Sequence, residues 1–208
     1  FLNRALYIDL VQYVDTRLRR YSQVQFQSSE RTKKMLEEKG ISDSASWHMD
    51  PMELSKILGV DRNTVVTYID LLEKVFVLFR LHPFSGNQRN EITSKPKIYF
   101  YDNGIRNAII GQFNTLNSRQ DVGALFENFF ISEKMKQLNY AGFYGKTHYW
   151  RNTQQAEIDF IEVLENEISV YEIKYNPAKK VHFSKSFTGV YTPKHTFVVN
   201  RDNFWEYL

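Results

Sequence analysis

The chain has 208 residues, of which 42% are hydrophobic, 15% aromatic and 25% charged, and its formal net charge is +3. This length and composition are typical of a folded globular protein with one substantial core or two small ones. The small net charge excludes nucleic-acid binding through bulk charge, so any such affinity must come from local basic patches. The absence of cysteine excludes disulfides and thiolate zinc sites, and it permits the cytoplasm, which is the location we expect.

No apolar run approaches the roughly 20 residues that a membrane-spanning helix requires. No signal peptide is visible, so we expect no membrane partner. The sequence begins with Phe1 rather than with methionine, and we therefore expect a fragment of a longer chain.

The first 46 residues are predicted to contain two helices. Apolar residues at helical spacing predict a helix over 5–20, and a glycine stop ends a second, polar helix over 29–40. The first helix ends with Arg17, Arg19 and Arg20. Because cations are favourable at a helix C-terminus, a solvated helix end is favoured over a DNA contact.

A helix-turn-helix and a hairpin are predicted next. The Asp-Pro-Met-Glu sequence that begins at Asp50 is typical of a helix start. That helix ends at Gly59, and a second helix runs to about Lys74. The core positions predicted on the second helix are Val65, Val66, Ile69 and Leu72. Strands over 75–81 and 97–101 follow, and this combination is the pattern of a winged helix.

A winged helix that binds DNA places the start of its second helix in the major groove and contacts phosphate with its hairpin. The predicted groove residues are Arg62, Asn63, Thr64 and Thr67. The predicted phosphate contacts are Arg89, Lys95 and Lys97. The alternative is a winged helix that serves only for packing between domains.

We place a domain boundary near Ser118, where a polar connector follows a helix. It divides the chain into a helical and winged-helix domain, 1–118, and a second domain, 119–208. The next predicted helix, 122–138, carries Glu127 among phenylalanines that form its apolar face. An isolated buried carboxylate is costly, so Glu127 needs a partner.

The stretch 157–174 is predicted to form two strands joined by a tight turn at Glu165-Asn166. Side chains alternate along a strand, so the sequence assigns residues to two faces. One face carries Glu157, Asp159, Ile161, Val163, Ile168, Val170, Glu172 and Lys174. The other carries Ile158, Phe160, Tyr171 and Ile173. Both faces are mostly apolar, which indicates a central hairpin that is covered on both sides.

Two carboxylates of this hairpin are predicted to oppose each other. Counting outward from the turn places Asp159 opposite Glu172 and Glu157 opposite Lys174. Opposed carboxylates cost stability. A divalent cation held by Asp159 and Glu172 would compensate, because hard cations prefer oxygen ligands. The alternative is a buried ion network in which Glu157 simply pairs with Lys174.

A helix over 177–187 and a strand over 195–199 are predicted to follow the hairpin. Basic residues at the start of this region, Lys179 and Lys180 among them, are candidates for holding nucleic-acid phosphate. The alternative is a solvated helix face.

A further strand is predicted over about 143–150, between the helix 122–138 and the hairpin, so the order from residue 122 onward is α-β-β-β-α-β. It carries an acid on the first helix, Asp159 on the second strand and Glu172-x-Lys174 on the third. This pattern resembles the PD-(D/E)XK nuclease superfamily, which has a restriction-endonuclease-like fold. The resemblance implies Mg²⁺ bound by Asp159 and Glu172. It also implies that Lys174 orients or activates the attacking water and that Glu127 supports the metal. A bound metal lowers the pKa of water and neutralises charge on a phosphate under attack.

Several phrases together, LSKILGVDRNTVVTYIDLLEKV, KPKIYFYDNGIRNAIIG, GALFENFFISE, EIDFIEV and YEIKY, resemble the C-terminal half of a large bacterial and archaeal family of AAA-type ATPases. The family order implies a nucleotide-binding domain, a winged helix and a nuclease-like domain of unknown function. This chain has no Gly-x-x-x-x-Gly-Lys-Ser/Thr phosphate loop, so we expect no ATP site in it. The expected fold class is therefore α+β, and the expected partners are DNA and the ATPase domain of the same full-length protein. The alternatives are a catalytically silent interaction module and a winged-helix regulator of transcription.

Overall fold

The computed structural model describes residues 52, 55, 59–84, 95–110, 113–152, 154 and 156–208, without the side chains of 108–110. All of these lie within one compact unit, Trp47–Leu208. The helices predicted over 5–20 and 29–40, most of the first helix of the predicted helix-turn-helix, and Arg89 lie outside the described residues.

Helix α1 (Arg62–Lys74) begins and ends where the sequence predicts. Its N-cap is Asp61, whose carboxylate accepts a hydrogen bond from the backbone N–H of Asn63 at 2.7 Å. Val65 and Ile69, one turn apart, pack in a buried cluster with Leu78. Leu72 was predicted as a core position, and this was wrong, because the side chain is 38% exposed. Leu72 shares the helical face of Ile69 and Val65, but it lies in the last turn of the helix, and burial there also requires a neighbour that covers it.

A two-stranded antiparallel sheet follows, formed by β1 (Leu78–Leu81) and β2 (Lys97–Phe100). The chain just beyond β1 continues alongside the larger sheet. The N–H of Tyr149 donates to the carbonyl of His82 at 3.1 Å, and the N–H of Phe84 donates to the carbonyl of Tyr149 at 2.6 Å. The described part of this hairpin is therefore attached to the rest of the protein at its base.

The larger sheet has four strands in the order β3-β4-β5-β6, namely β3 (Lys146–Arg151), β4 (Glu157–Leu164), β5 (Glu167–Ile173) and β6 (His195–Val199). Strand β4 is antiparallel to both of its neighbours, β3 and β5, and β6 is parallel to β5. The helices are α2 (Asn103–Ile110), α3 (Val122–Tyr140) and α4 (Lys185–Tyr191), with 3₁₀ turns at Leu116–Ser118 and Phe204–Tyr207. Helices and two sheets give the mixed α+β class that the sequence predicts.

The helix predicted over 177–187 was wrong at its start, because α4 begins only at Lys185. Asn176 forms a turn in its place. Its side-chain oxygen accepts from the Ala178 N–H at 3.0 Å, and its carbonyl accepts from the Lys179 N–H at 3.1 Å. Such local bonds compete with helix formation.

Apolar side chains pack on both sides of the central hairpin, as predicted. On the side of α3 lie Phe130, Ile131, Phe160, Tyr171 and Ile173, with other members of the same cluster. On the opposite side lie Trp150, Ile158, Ile161, Val170 and Phe187. Burial on both sides explains why the hairpin sequence is apolar in almost every position.

The face predicted for Ile158 was wrong. Ile158 packs with Ile161, not with Phe160. In the pairing of β3 with β4, His148 is opposite Ile161 and Trp150 is opposite Ile158, so β4 contains one extra residue between these pairs. This is a β-bulge, and it reverses the alternation of side chains. It lies in the segment that contains Asp159.

Candidate functional site

Three of the predicted site residues meet at the end of the central hairpin. The Nζ of Lys174 lies 2.7 Å from Oδ2 of Asp159 and 3.1 Å from Oε2 of Glu172. Both carboxyl residues are buried, each with 5% exposure. One ammonium group therefore bridges two carboxylates that come from adjacent strands.

The inner pairs of the hairpin, Leu164–Glu167 to Phe160–Tyr171, have the predicted register. The ladder ends there, so the predicted pairs Asp159–Glu172 and Glu157–Lys174 do not form part of it. Next to the bulge, Oδ2 of Asp159 accepts the backbone N–H of Ile173 at 2.7 Å. The hydrogen bond directs this carboxylate towards β5 and the Lys174 ammonium.

Burial and mutual repulsion alter the acidity of this group. Burial raises the pKa of Asp159, the negative charge of Glu127 raises it further, and Lys174 opposes both. Burial and the charge of Asp159 raise the pKa of Glu172 to about 7. Burial alone would lower the pKa of Lys174, but Asp159 and Glu172 raise it above its usual value. At neutral pH Lys174 is therefore charged, whereas Glu172 is close to its titration midpoint.

A second lysine enters the site from the hairpin. Lys97 of β2 is 2% exposed. Its Nζ forms an ion pair with Glu157, lies 3.4 Å from Oε1 of Glu127 and lies 5.1 Å from the centre of the Tyr149 ring. Burial lowers the pKa of Lys97, but the surrounding groups, Tyr99 and the nearby carboxylates, hold it well above its usual value. Lys97 is therefore a buried cation.

The partners that Glu127 requires are Lys97 and Tyr99, whose hydroxyl donates to Oε1 of Glu127 at 2.7 Å. The electrostatic influence of Glu127 and Lys97 on Asp159 joins this group to the one around Lys174. We refer to Glu127, Glu157, Asp159, Glu172, Lys97 and Lys174 as the carboxylate–lysine cluster.

The sequence assigned Lys97 to a phosphate contact on a wing, and burial overturns this assignment, because so buried an ammonium does not reach a phosphate from the surface. The signal for its true position was available. Lys97 and Tyr99 are two residues apart on the predicted strand, so they share a face, and aromatic residues in strands commonly pack on a half-buried face. The sequence did not show which acids of the opposing helix and strand would pair with Lys97.

Asn128 anchors α3 to the hairpin and so places Glu127 beside Lys97. Its Oδ1 accepts the backbone N–H of Phe100 at 2.8 Å, and its Nδ2 donates to the carbonyl of Phe100 at 2.9 Å. The side chain is 3% exposed. Asn128 thus pairs with the end of β2 as a neighbouring strand would.

The cluster offers oxygen donors of the kind that Mg²⁺ prefers. Among the residues that the structure describes, no three His, Asp or Glu side chains converge so as to hold a metal ion. Asp159 and Glu172 nevertheless both contact the Nζ of Lys174, at 2.7 and 3.1 Å, so their carboxylates lie close to each other. Mg²⁺ is commonly bound by one or two carboxylates, with water and substrate phosphate completing its shell. The donor set therefore fits Mg²⁺ held by these two carboxylates.

The residues predicted to read DNA lie on the surface. Arg62, Asn63, Thr64 and Thr67 are all exposed at the start of α1. Lys179 and Lys180 are exposed in the segment that follows β5. Exposure is necessary for nucleic-acid contact, and the contact itself stays a prediction for these six residues.

Comparison with known proteins gives two family matches. Residues 9–116 match the model of a family described as domain of unknown function DUF8612, which covers more than half of the chain. The chain belongs to the DUF8612 family. Residues 122–205 match a second domain of unknown function, DUF4143, which is found in C-terminal regions associated with AAA-type ATPases. In this DUF8612 protein, Lys97 lies in the first matched region, whereas its carboxylate partners lie in the second.

Two curated relatives are 30% identical to the chain over 124 residues: Uncharacterized protein Mb2031c of Mycobacterium bovis and Uncharacterized protein Rv2008c of Mycobacterium tuberculosis. The matched region is 59% of this chain and 27% of each relative. The chain thus spans about a quarter of the length of these relatives. No solved structure matches it significantly. Within the described residues, the helices are too short or too polar to cross a membrane.

Proposed function

We propose that this chain is a DNA-associated module of a longer AAA-type ATPase, and that its second half carries a Mg²⁺-dependent phosphodiesterase site. The proposed metal ligands are Asp159 and Glu172, with Lys174 beside them and Glu127 as the supporting acid. The observation that carries the proposal is the approach of both carboxylates to within 3.1 Å of one ammonium group.

The fold supports the proposal in two ways. The order α3-β3-β4-β5-α4-β6 agrees with the order expected for a PD-(D/E)XK nuclease-like domain. Helix α1 followed by an antiparallel hairpin agrees with a winged helix. The match to DUF4143 supports the ATPase context.

The chemistry of the site assigns a role to each group. A bound Mg²⁺ would supply an activated water and neutralise phosphate charge. Because its pKa is raised, Lys174 stays protonated, so it donates hydrogen bonds to the water or the phosphate and does not act as a base. Burial of Asp159 and Glu172 excludes bulk water from one side of the site, which strengthens these interactions.

The proposal is tested by incubating supercoiled plasmid and single-stranded DNA with the chain and Mg²⁺ or Mn²⁺. Native protein should cleave, Asp159→Asn and Glu172→Gln should not, and Asp202→Asn should cleave like the native protein, since the Asp202 side chain is 63% exposed and is no part of the cluster. Equal cleavage by all four proteins would indicate a contaminating nuclease and would overturn the proposal.

A second candidate function is a catalytically silent module that docks a partner or senses DNA. It is favoured by the observation that the carboxylates of the cluster already have internal cations, Lys97 and Lys174. Calorimetric titration with Mn²⁺ separates the two candidates. Heat that disappears in Asp159→Asn supports the metal site, whereas a native protein without any heat supports the silent module.

DNA association is tested separately, by fluorescence anisotropy of a labelled duplex at several salt concentrations. Phosphate contacts release counterions, so affinity should fall steeply as salt rises. The proposed contacts predict that Arg62→Ala and the double change of Lys179 and Lys180 to Ala each reduce this salt dependence. Lys136→Ala on α3, where Lys136 pairs with Glu133 of the same helix, is the matched control.

A further inference from the structure

Two side chains of β2 hold one oxygen of the Glu127 carboxylate. The hydroxyl of Tyr99 donates to Oε1 at 2.7 Å, and the Nζ of Lys97 lies 3.4 Å from the same atom. Within the part of the chain that the structure describes, no hydrogen bond reaches Oε2. Because the Glu127 side chain is also 24% exposed, Oε2 is the oxygen that can still accept a hydrogen bond from water or from a ligand.

Both groups that hold Oε1 keep their protons near neutral pH. Burial and the negative charge of Glu127 raise the pKa of the Tyr99 hydroxyl well above its usual value. Burial lowers the pKa of Lys97, but Tyr99 and the surrounding carboxylates raise it well above its usual value. The hydroxyl and the ammonium are therefore constant hydrogen-bond donors to Glu127.

Neighbouring contacts fix the backbone to which this carboxylate belongs. Asn128, the next residue of α3, pairs with both backbone groups of Phe100 at the end of β2. Lys97 also forms an ion pair with Glu157 of β4, so one ammonium joins a helix and a strand of the site. Its burial, at 2% exposure, is offset only by these close opposite charges. The hairpin, and not α3 alone, thus sets the position of Glu127.

Glu127 is close enough to the proposed metal ligands to act on them. Burial raises the pKa of Asp159, and the negative charge of Glu127 raises it further. Groups that hydrogen-bond to the ligands of a metal ion, and to its water, orient them and tune the affinity of the site. A supporting acid can do this only when its remaining oxygen is held in one direction.

We propose that Tyr99 and Lys97 are positioning residues for Glu127. They hold Oε1 of this carboxylate so that Oε2 orients the water on an ion bound by Asp159 and Glu172. The inference rests on the proposed function, which supplies that ion. The site is then completed by both matched regions, because its acids lie within 122–205 and its two positioning residues lie within 9–116.

The test compares the native chain with Tyr99→Phe and Tyr171→Phe. It measures Mn²⁺ affinity by calorimetry, and kcat and KM for cleavage of labelled single-stranded DNA. Tyr171→Phe is the matched control, because it removes the same atom from another buried tyrosine, whose hydroxyl donates to Glu162 at 3.2 Å, outside the carboxylate–lysine cluster. Both variants should melt a few degrees below the native chain, since each loses one hydrogen bond to a carboxylate.

Only Tyr99→Phe should bind Mn²⁺ more weakly, by roughly 10- to 100-fold. Its kcat should fall by a similar factor while KM for DNA stays unchanged. The double variant Lys97→Met, Glu157→Gln removes one buried charge of each sign, which favours folding, and it should weaken Mn²⁺ binding in the same way.

A positioning role also predicts that the effects do not add. Glu127→Gln should weaken Mn²⁺ binding by itself, and Tyr99→Phe should cause no further loss in that background, because the hydroxyl acts through the carboxylate. Losses that add fully would show that Tyr99 acts independently of Glu127 and would overturn the inference.

The remaining outcomes separate this inference from the proposed function. If Tyr99→Phe binds Mn²⁺ and cleaves DNA like the native chain, the inference is wrong and the proposed function stands. Equal weakening in Tyr99→Phe and Tyr171→Phe would indicate a general loss of structure and would also overturn the inference. A native chain that neither binds Mn²⁺ nor cleaves DNA would remove the proposed function, and the inference with it.

Discussion

Arg106 and Asp121 form a buried ion pair, with Nη1 of the arginine 2.8 Å from Oδ2 of the aspartate. Arg119 completes the group through two hydrogen bonds to the same carboxylate, at 2.8 and 2.7 Å. These residues lie on the two sides of Ser118, where the sequence placed a domain boundary. Buried ion pairs therefore join the two sides of the predicted boundary, at the residue that directly precedes α3.

Asp121→Asn should lower the free energy of unfolding by about 3–5 kcal/mol, because it leaves two buried guanidinium groups without their carboxylate. Urea denaturation followed by circular dichroism measures the change. Asp202→Asn, at an exposed position, should change stability by less than about 0.5 kcal/mol. Equal effects of the two substitutions would show that the buried network contributes nothing.

The pKa of Asp121 predicts how the free energy of unfolding depends on pH in the acidic range. Hydrogen bonds from Arg119, with the charge of Arg106, lower the pKa of Asp121 from 3.8 to about 2. A lowered folded-state pKa contributes stability that is present above the unfolded value and is lost as pH falls through the folded value. The stability difference between native protein and Asp121→Asn should therefore shrink between pH 4 and pH 2. A difference that stays constant over this range would contradict the assignment.

The raised pKa of Glu172 predicts that stability depends on pH in the opposite direction near neutrality. Burial and Asp159 raise its pKa from 4.5 to about 7, so the folded protein holds this proton more tightly than the unfolded chain. The native protein should lose stability, on the order of 2 kcal/mol, as pH rises from about 4.5 to 7. Glu172→Gln should remove this dependence in guanidinium titrations at each pH. A slope that is identical in both proteins would assign the proton to another group.

Asn128→Ala should lower stability by about 2–3 kcal/mol, because it leaves the backbone N–H and carbonyl of Phe100 without their buried partner. Amide hydrogen exchange should become faster at Phe100. The matched control is Asn139→Ala on the same helix, at an exposed position, which should change neither quantity. Unchanged exchange at Phe100 would mean that α3 is anchored by other contacts.

Local sequence patterns predicted the elements whose determinants lie within a few residues. The end of α1 at Lys74 and the tight turn after Leu164 are of this kind, and Glu165 adopts the positive φ of 55° that a two-residue hairpin turn requires. Counting outward from this turn then predicted the register from Leu164–Glu167 to Phe160–Tyr171. It failed beyond Phe160, because a bulge depends on the partner strand β3, which periodicity within one hairpin does not include.

The sequence by itself determined which acids are candidates, since Glu127, Asp159 and Glu172 lie on elements whose type and order follow from hydrophobic periodicity. Only the tertiary structure decided how their charges are balanced. Lys97 is 30 residues from Glu127 and 60 residues from Glu157 along the chain, and no local pattern relates them. An ion pair at that separation exists because the hairpin docks on the larger sheet and buries the lysine, and burial is what makes its carboxylate partners obligatory.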